Sequence, residues 1–317
     1  MAITLRQLSY FRALAEQGSF VRAAEAVHVS QPALSVQIRD LETALGGPLV
    51  ERGGRKVVLT TFGREALAQA ERVLAEVNKL EQSARWRGGL SGKLSIGLIP
   101  TVAPYILPGA LEALRSRDIS LDVQVLEAKT ERLVADLRRG ALDAAVIAVP
   151  AEVDGLVEEP LFEDRFLLAG SQSRLAPYRG DPLPLRPAQI GTNALLLLED
   201  GHCLTDQALD VCQLDRNTSQ ISMGASSLAT LCRLVEAGFG LTLLPELALA
   251  SEAPQLTRLE TRRFTAPEPA RTIGLVRRAG AIDDGWFTAL AEILRRVGGD
   301  IVMRTRQPIE AKPEAGA

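Results

Sequence analysis

The residues after Thr61-Phe62-Gly63 read as one long helix running to about Arg87, and no other stretch constrains the chain as much. Ala66, Ala70, Val73, Val77 and Leu80 recur at 4-3-4-3 spacing, a heptad seam that favours pairing with a second copy of itself over packing on its own domain. Gly88, Gly89, Ser91 and Gly92 follow as a hinge, because a Gly/Ser-rich stretch behaves as flexible coil. The 317 residues therefore divide into a small unit before the hinge and a larger one after it.

In the small unit Leu5, Leu8, Phe11, Leu14 and Ala15 keep helical spacing until Gly18. Ser19 stands as N-cap of a short second helix with Phe20, Val21, Ala23, Ala24 and Val27. A break at His28-Val29-Ser30 opens a third helix with Ser30 as N-cap and Pro32 in its first turn. Its Leu34, Ile38, Leu41 and Leu45 face inward up to Gly46, which completes a helix-turn-helix pattern. Leu49 to Arg52 and Arg55 to Thr60 flank Gly53-Gly54 and read as a two-stranded wing whose tip carries Arg52, Arg55 and Lys56. A wing of that kind lies along phosphates. Residues 1–65 hold eight Lys/Arg against six Asp/Glu while the whole chain is at −3, an asymmetry that permits phosphate binding without demonstrating it.

Beyond the hinge, apolar runs alternate with helical patterns: Leu94 to Ile99, Tyr105 to Arg115, Leu121 to Leu126, Thr130 to Arg139, and Ala144 to Val149. This is βαβ order and predicts an open α/β sheet. Arg165 to Ala169 starts a second unit with Ala194 to Leu198, a helix over Cys203–Cys212, a helix near Leu228 to Ala237, and Leu241 to Leu244. The late strand Thr272 to Arg277 returns to the first unit. Two lobes joined by crossover strands leave a cleft, where ligands commonly bind.

A composition of 46% apolar and 24% charged residues suits a soluble globular protein. The first residues lack an apolar signal core, and the longest charge-free stretch, Leu94 to Leu111, carries Pro100, Pro104 and Pro108, which breaks a membrane-spanning helix. A cytoplasmic protein is expected. Three cysteines in a reducing compartment exclude a disulfide framework and leave reduced, metal-bound or redox-active thiols. Metal is the weakest option, because His28 and His202 are the only histidines. Cys203 and Cys212 bracket a helical segment, so their Cα atoms lie on the order of 13 Å apart. A disulfide tolerates about 7 Å at most, so bridging them requires local refolding. A bond that forms only by changing the local shape is what a redox switch needs. Cys232 sits among Leu228, Leu231 and Val235 as an ordinary buried thiol.

On the third helix Gln31, Ala33, Ser35, Gln37 and Arg39 are free to point outward. Gln can bond adenine edges, Ala can meet a thymine methyl, and Ser or Arg can reach bases or phosphates. A structural hairpin with a polar face shows the same pattern. The residues themselves decide between them. Ala23-Ala24, Val29 to Ser35, Gln37-Ile38, Leu41-Glu42, Leu45-Gly46, Leu49 to Arg52 and Thr60 to Gly63 closely resemble the DNA-binding domain of LysR-type transcriptional regulators. The chain from the hinge to about Val302 resembles that family's two-lobed, periplasmic-binding-protein-like regulatory domain. Leu198 to Ala208 followed by Cys212, with Ile99 to Val102, Pro104-Tyr105 and Arg271 to Leu275, is similar to the OxyR subgroup, the hydrogen-peroxide-sensing members. One departure is Val27, where many relatives carry another cysteine.

The resemblance implies an organisation and a set of roles. Residues 1–65 form the winged helix-turn-helix, 66–90 the linker and dimerisation helix with its hinge, and 91–303 the regulatory domain. In the last, lobe I spans about 91–164 and 270–303, lobe II about 165–269, and 304–317 forms a disordered tail. Cys203 is then the peroxidatic thiol and Cys212 its resolving partner. A place in the first turn of a helix favours the thiolate, and His202, if protonated, adds to this. Thr101 and Thr130 correspond to hydroxyls placed near the peroxide, unless each is simply a helix N-cap. Arg271 supports the thiolate or the leaving hydroxide electrostatically, unless it is a surface cation at a strand start. Implied partners are double-stranded promoter DNA, further copies of the chain as dimer and tetramer, hydrogen peroxide, a cellular thiol reductant and RNA polymerase; no cofactor is expected. Two other readings remain: a regulator of the same family answering a small organic effector in the cleft, and a thiol peroxidase, which would turn over peroxide continuously instead of once.

Overall fold

The computed structural model describes residues 3–51, 57–85, 93–117, 121–178, 185–190, 195–214, 225–281, 283 and 285–306. Arg52, Arg55, Lys56, the Gly53-Gly54 tip, the glycine hinge, Ala194 and residues 307–317 lie outside them, as does the side chain of Leu80. The chain forms two compact units that part at Ala84–Arg85.

The first unit opens with α1 (Leu5–Gln17), where Thr4 and Gln7 cap each other reciprocally and Gly18 closes the helix in the left-handed region. α2 (Phe20–Ala26) follows Ser19, which occupies the N-cap position but makes no side-chain cap bond. In α3 (Gln31–Leu45) Ser30 Oγ accepts from the Ala33 amide, and Gly46 ends the helix at φ 80°. Phe11, Leu14, Leu34, Ile38, Leu41 and Leu49 form the common core of the three helices. Glu42 reaches out of this core to accept from the Leu49 amide at 2.8 Å, which sets the start of the expected wing. Of the wing, Val50 bridges Leu59 antiparallel, with Glu51 N donating to Val58 O. Thr60 then caps α4 (Thr61–Arg85) by accepting from Gly63 N at 2.8 Å.

The second unit carries β1 (Lys93–Leu98), α5 (Ala103–Arg117), β2 (Asp122–Glu127), α6 (Thr130–Arg138) and β3 (Ala144–Val149). It continues with β4 (Leu156–Ser171), α7 (Gln172–Leu175), α8 (Cys203–Cys212), α9 (Leu228–Glu236), β5 (Leu241–Pro245) and α10 (Glu246–Glu252). β6 (Leu259–Arg263), β7 (Ala270–Arg278) and α11 (Trp286–Arg306) complete it. The strands run in the order β2-β1-β3-β7-β4-β5, with β6 also on β4. β1 is parallel to β2 and β3, whereas β7 is antiparallel to β3 and β4.

Everything turns on β4. Its first half, Leu156 to Arg165, pairs with β7, and its second half, from Phe166, pairs with β5 and β6. One strand therefore belongs to two lobes, each with its own apolar core. Sequence patterning finds only Arg165 to Ala169 as strand, because the preceding Glu158, Glu159, Pro160, Glu163 and Asp164 have poor strand propensity. The β7 ladder overrides that preference, and a register shift between Pro160 and Phe162 takes up the proline. α10, β6 and α11 also escaped the sequence reading.

The expected disordered tail begins too early at Arg304. Residues 304–306 are the last turn of α11, held by Arg306, which binds the fully buried Glu246 at 2.8 Å and donates to the Glu163 carbonyl. Arg263 neutralises the same carboxylate at 2.7 Å, as a buried charge requires.

Adjacent glycines in α11 separate packing from propensity. A Cβ on Gly298 would stand 2.0 Å from the Phe162 ring, whereas one on Gly299 would meet nothing within 4 Å. Gly298→Ala is expected to lower unfolding stability by about 1–3 kcal/mol through overpacking, and Gly299→Ala to raise it by about 0.5–1 kcal/mol through helix propensity. Urea unfolding of the two variants followed by circular dichroism checks the opposite signs.

Candidate functional site

The outward face of α3 carries Gln31, Pro32, Ala33 and Arg39 exposed, with Ser35 and Gln37 half-buried and Ser30 exposed at the cap. Val36, 48% exposed, belongs to the same face and was missed. Its place midway between the buried Leu34 and Ile38 was the available signal, since a helical residue flanked two positions away by core residues must point outward.

The second constellation lies where the lobes meet. Cys203 is the first residue of α8 and packs, half-buried, against the lobe I core. Cys212 is the last residue of the same helix, 2% exposed in the lobe II core. Burial pushes the Cys212 thiol up to about 11 and that of Cys232 to about 12. The three cysteines are free thiols, and the helical separation of Cys203 and Cys212, on the order of 13 Å, exceeds disulfide reach.

His202 is the N-cap residue of α8, yet its ring makes no cap hydrogen bond and is 5% exposed. Burial first, then the Lys129 ammonium, holds its pKa below 6.5, with Glu199 opposing. The ring is therefore neutral at pH 7, and the expected electrostatic help from a protonated His202 does not operate there. The reason is that a charged imidazole would lose its hydration beside an existing cation.

Thr101 and Thr130 follow the carboxyl ends of the adjacent parallel strands β1 and β2, whose Leu98 and Glu127 are register partners. Neither acts as a helix cap. Thr101 Oγ1 accepts from Arg271 Nη1 at 2.9 Å, which leaves its own proton free to donate. Thr130 Oγ1 is buried and has no hydrogen-bond partner. An unsatisfied buried hydroxyl is costly, and a small polar ligand that paired with it would relieve that cost.

Arg271 is not a surface cation. It is 4% exposed, bound to Asp164 Oδ2 at 2.9 Å and to the Thr101 carbonyl at 3.3 Å. Asp164 uses its other oxygen to accept from the Leu247 amide at the start of α10. Burial pushes the Asp164 carboxyl upward, and the Arg271 charge draws it back. Sequence reasoning missed Asp164, because its partner lies 107 positions away. It missed Tyr105 as an interlobe contact too: the phenol donates to Glu252 on α10 at 3.0 Å, while burial and that carboxylate raise its pKa and keep it a donor. Among the described residues no group of three His, Cys, Asp or Glu could hold a metal, and no helix is long and apolar enough to cross a membrane.

Residues 87–299 match the LysR substrate binding domain, and residues 5–64 match the bacterial regulatory helix-turn-helix protein, lysR family. The chain belongs to the LysR family. Among curated relatives of this LysR protein, a probable hydrogen peroxide-inducible genes activator of Streptomyces viridosporus is 42% identical over 95% of the chain and 96% of its own length. The DNA-binding transcriptional dual regulator OxyR of Escherichia coli is also 42% identical, over 92% of the chain and 95% of its own. Of solved structures, a hydrogen-peroxide-bound cysteine-to-serine mutant of Corynebacterium glutamicum OxyR is similar at 36% identity and TM-score 0.63, covering 96% and 97%. A full-length cysteine-to-aspartate OxyR from Pseudomonas aeruginosa reaches TM-score 0.69 at 31% identity, covering 94% and 95%. Identity of 42% to these relatives over nearly the whole chain places this regulator in the OxyR branch.

The thiol environments set an order of reactivity. At pH 8 iodoacetamide is expected to label Cys203 at least about 100-fold faster than Cys212 or Cys232, because the thiolate is the nucleophile and both others are buried and raised; peptide mapping reads the order. The sign for His202 also follows. Its folded pKa lies below its unfolded value of about 6.5, so the unfolded chain binds more protons just below pH 6.5. The stability from neutral His202 is present above that pH and is lost as pH falls. His202→Gln is expected to flatten the fall of the urea midpoint between about pH 6.5 and 5.

Proposed function

We propose that this LysR regulator senses hydrogen peroxide at Cys203 and passes the signal to promoter DNA held by α3. The observation that carries the reading is that one ten-residue helix ends in two thiols belonging to different cores. Peroxide binds between the Thr101 and Thr130 hydroxyls, which orient it for in-line attack. The Cys203 thiolate attacks the nearer oxygen, the O–O bond breaks, and the departing oxygen leaves as hydroxide and gains a proton to become water. The sulfur has lost two electrons and carries a sulfenic acid. Once α8 opens, the Cys212 thiolate attacks that sulfur and displaces its hydroxyl as a second water, leaving a disulfide. A cellular dithiol or glutathione resets the pair.

Two lobes of periplasmic-binding-protein-like form then alter their packing and move the DNA-binding units. Self-association through residues 66–90 into dimers, and of dimers into tetramers, delivers that change to paired half-sites. An apolar groove of about 790 Å³, lined by Ile3, Leu5, Leu8, Leu45, Phe62, Ala66, Ala70 and Val73, supports a covered face on this unit. The regulator works in the cytoplasm with RNA polymerase, and each oxidation is a single stoichiometric event, so no enzymatic turnover is expected.

Intact-mass and thiol mapping after about one equivalent of hydrogen peroxide tests the reading. Wild type is expected to lose 2 Da (about two hydrogens) as a Cys203–Cys212 disulfide, Cys212→Ser to stop at the sulfenic acid, and Cys203→Ser to stay reduced. Thr130→Val is expected to slow the oxidation about tenfold, the effect of one lost hydrogen bond in the reacting complex. An unreactive Cys203 in the wild type would overturn the proposal in favour of a small organic effector.

A further inference from the structure

Lys129 ends the loop between β2 and α6 in lobe I, one residue before Thr130. Its Nζ donates to the Asp200 carbonyl at 2.6 Å, across 71 residues of sequence. Its Cδ lies 3.1 Å from where a Cβ on Gly201 would stand, and Gly201 holds φ +86°, a conformation that glycine adopts without strain. The lysine stem thus lies across the Asp200-Gly201 turn of lobe II, directly before His202 and Cys203. Glycine suits the backbone turn, and a Cβ there would crowd the lysine stem.

We propose that Lys129 is a positioning residue for the peroxide reaction, strapping the Asp200-Gly201 turn to lobe I so that Cys203 is seated beside the Thr130 hydroxyl. The strap joins the two halves of the site that the fold brings from different lobes: the hydroxyls of Thr101 and Thr130 from lobe I, and the thiol from lobe II. Without it the N-terminus of α8 keeps its bond from Thr205 Oγ1 to the Leu198 carbonyl, which holds it within lobe II but fixes nothing across the seam. The charged groups that act on His202 are Lys129 and Glu199. Removing the first leaves the carboxylate opposed by burial alone. The strap also sets what oxidation must disturb, because unwinding α8 toward Cys212 pulls on the turn that Lys129 grips.

This inference rests on the reading of Cys203 as the peroxide-reactive thiol, and the experiment separates the two. The rate of Cys203 oxidation by hydrogen peroxide is measured on the full chain by stopped-flow and thiol mapping for wild type, Lys129→Met and Lys129→Arg, with His202 titrated by NMR in each. Lys129→Met is expected to slow oxidation about fivefold, equivalent to about 1 kcal/mol, and to raise the His202 pKa; Lys129→Arg, which keeps charge and donor, is expected to restore most of both. Oxidation of Lys129→Met at the wild-type rate, or a slower rate with His202 titrating as in wild type, overturns the role of Lys129. A wild type whose Cys203 does not react with peroxide overturns the underlying reading instead.

Discussion

A guanidinium with 4% of its surface exposed must find its partners inside the protein, and Arg271 finds them on β4 and on the turn after β1. Asp164 supplies the countercharge from β4, Thr101 supplies a hydroxyl and a carbonyl from the turn after β1, and Asp164 in turn accepts from the Leu247 amide of α10. Breaking one member would leave an uncompensated buried charge, a loss of about 3–5 kcal/mol in comparable pairs. The network sits where β4 passes from one lobe to the other. It therefore fixes the crossing of the lobes and the orientation of the Thr101 hydroxyl with the same bonds, and the remainder of the thiol site is assembled around that fixed point.

Opposite this network stands the helix that carries two of the thiols. α8 holds Cys203 at the seam and Cys212 in the lobe II core, and its ends are finished differently: the N-terminus has no side-chain cap from His202, while Gln213 closes the C-terminus in the left-handed region. In the reduced protein the buried Cys212 thiol, pushed up to about 11, is a poor nucleophile. Chemistry at Cys203 alone therefore cannot complete the bridge. On the proposed two-thiol reading, the helix must unwind and Cys212 must leave an apolar core before the second step proceeds. Sulfur chemistry and shape are coupled because neither end of the helix can reach the other while hydrogen-bonded.

Local patterning made the helices legible. The helical span of α8 and the continuous apolar run Ala144–Val149 agree with the structure, and Ser30 with Gly46 marks the ends of α3. The acidic first half of β4 did not read as strand, since its pairing with β7 is set by tertiary contact against local propensity. At the site, Cys203, Cys212, Thr101, Thr130 and Arg271 were visible through the resemblance of their surroundings, but the roles of several were not. His202 sits in an environment that keeps it neutral, and Arg271 is buried and paired; both follow from burial, which a sequence does not display.

By itself the sequence determined what depends on neighbours along the chain: the helix-turn-helix, the βαβ order, the two thiols nine residues apart on one helix, and the family to which the chain belongs. Only the tertiary structure decided which thiol faces which core, that Asp164 pairs with Arg271 and Lys129 with the Asp200 carbonyl, and that the Thr130 hydroxyl is left without a partner. The physical reason is range. Periodicity and capping act over a few residues, whereas desolvation, ion pairing and unsatisfied hydrogen bonds depend on groups that meet only after two lobes have closed around one shared strand.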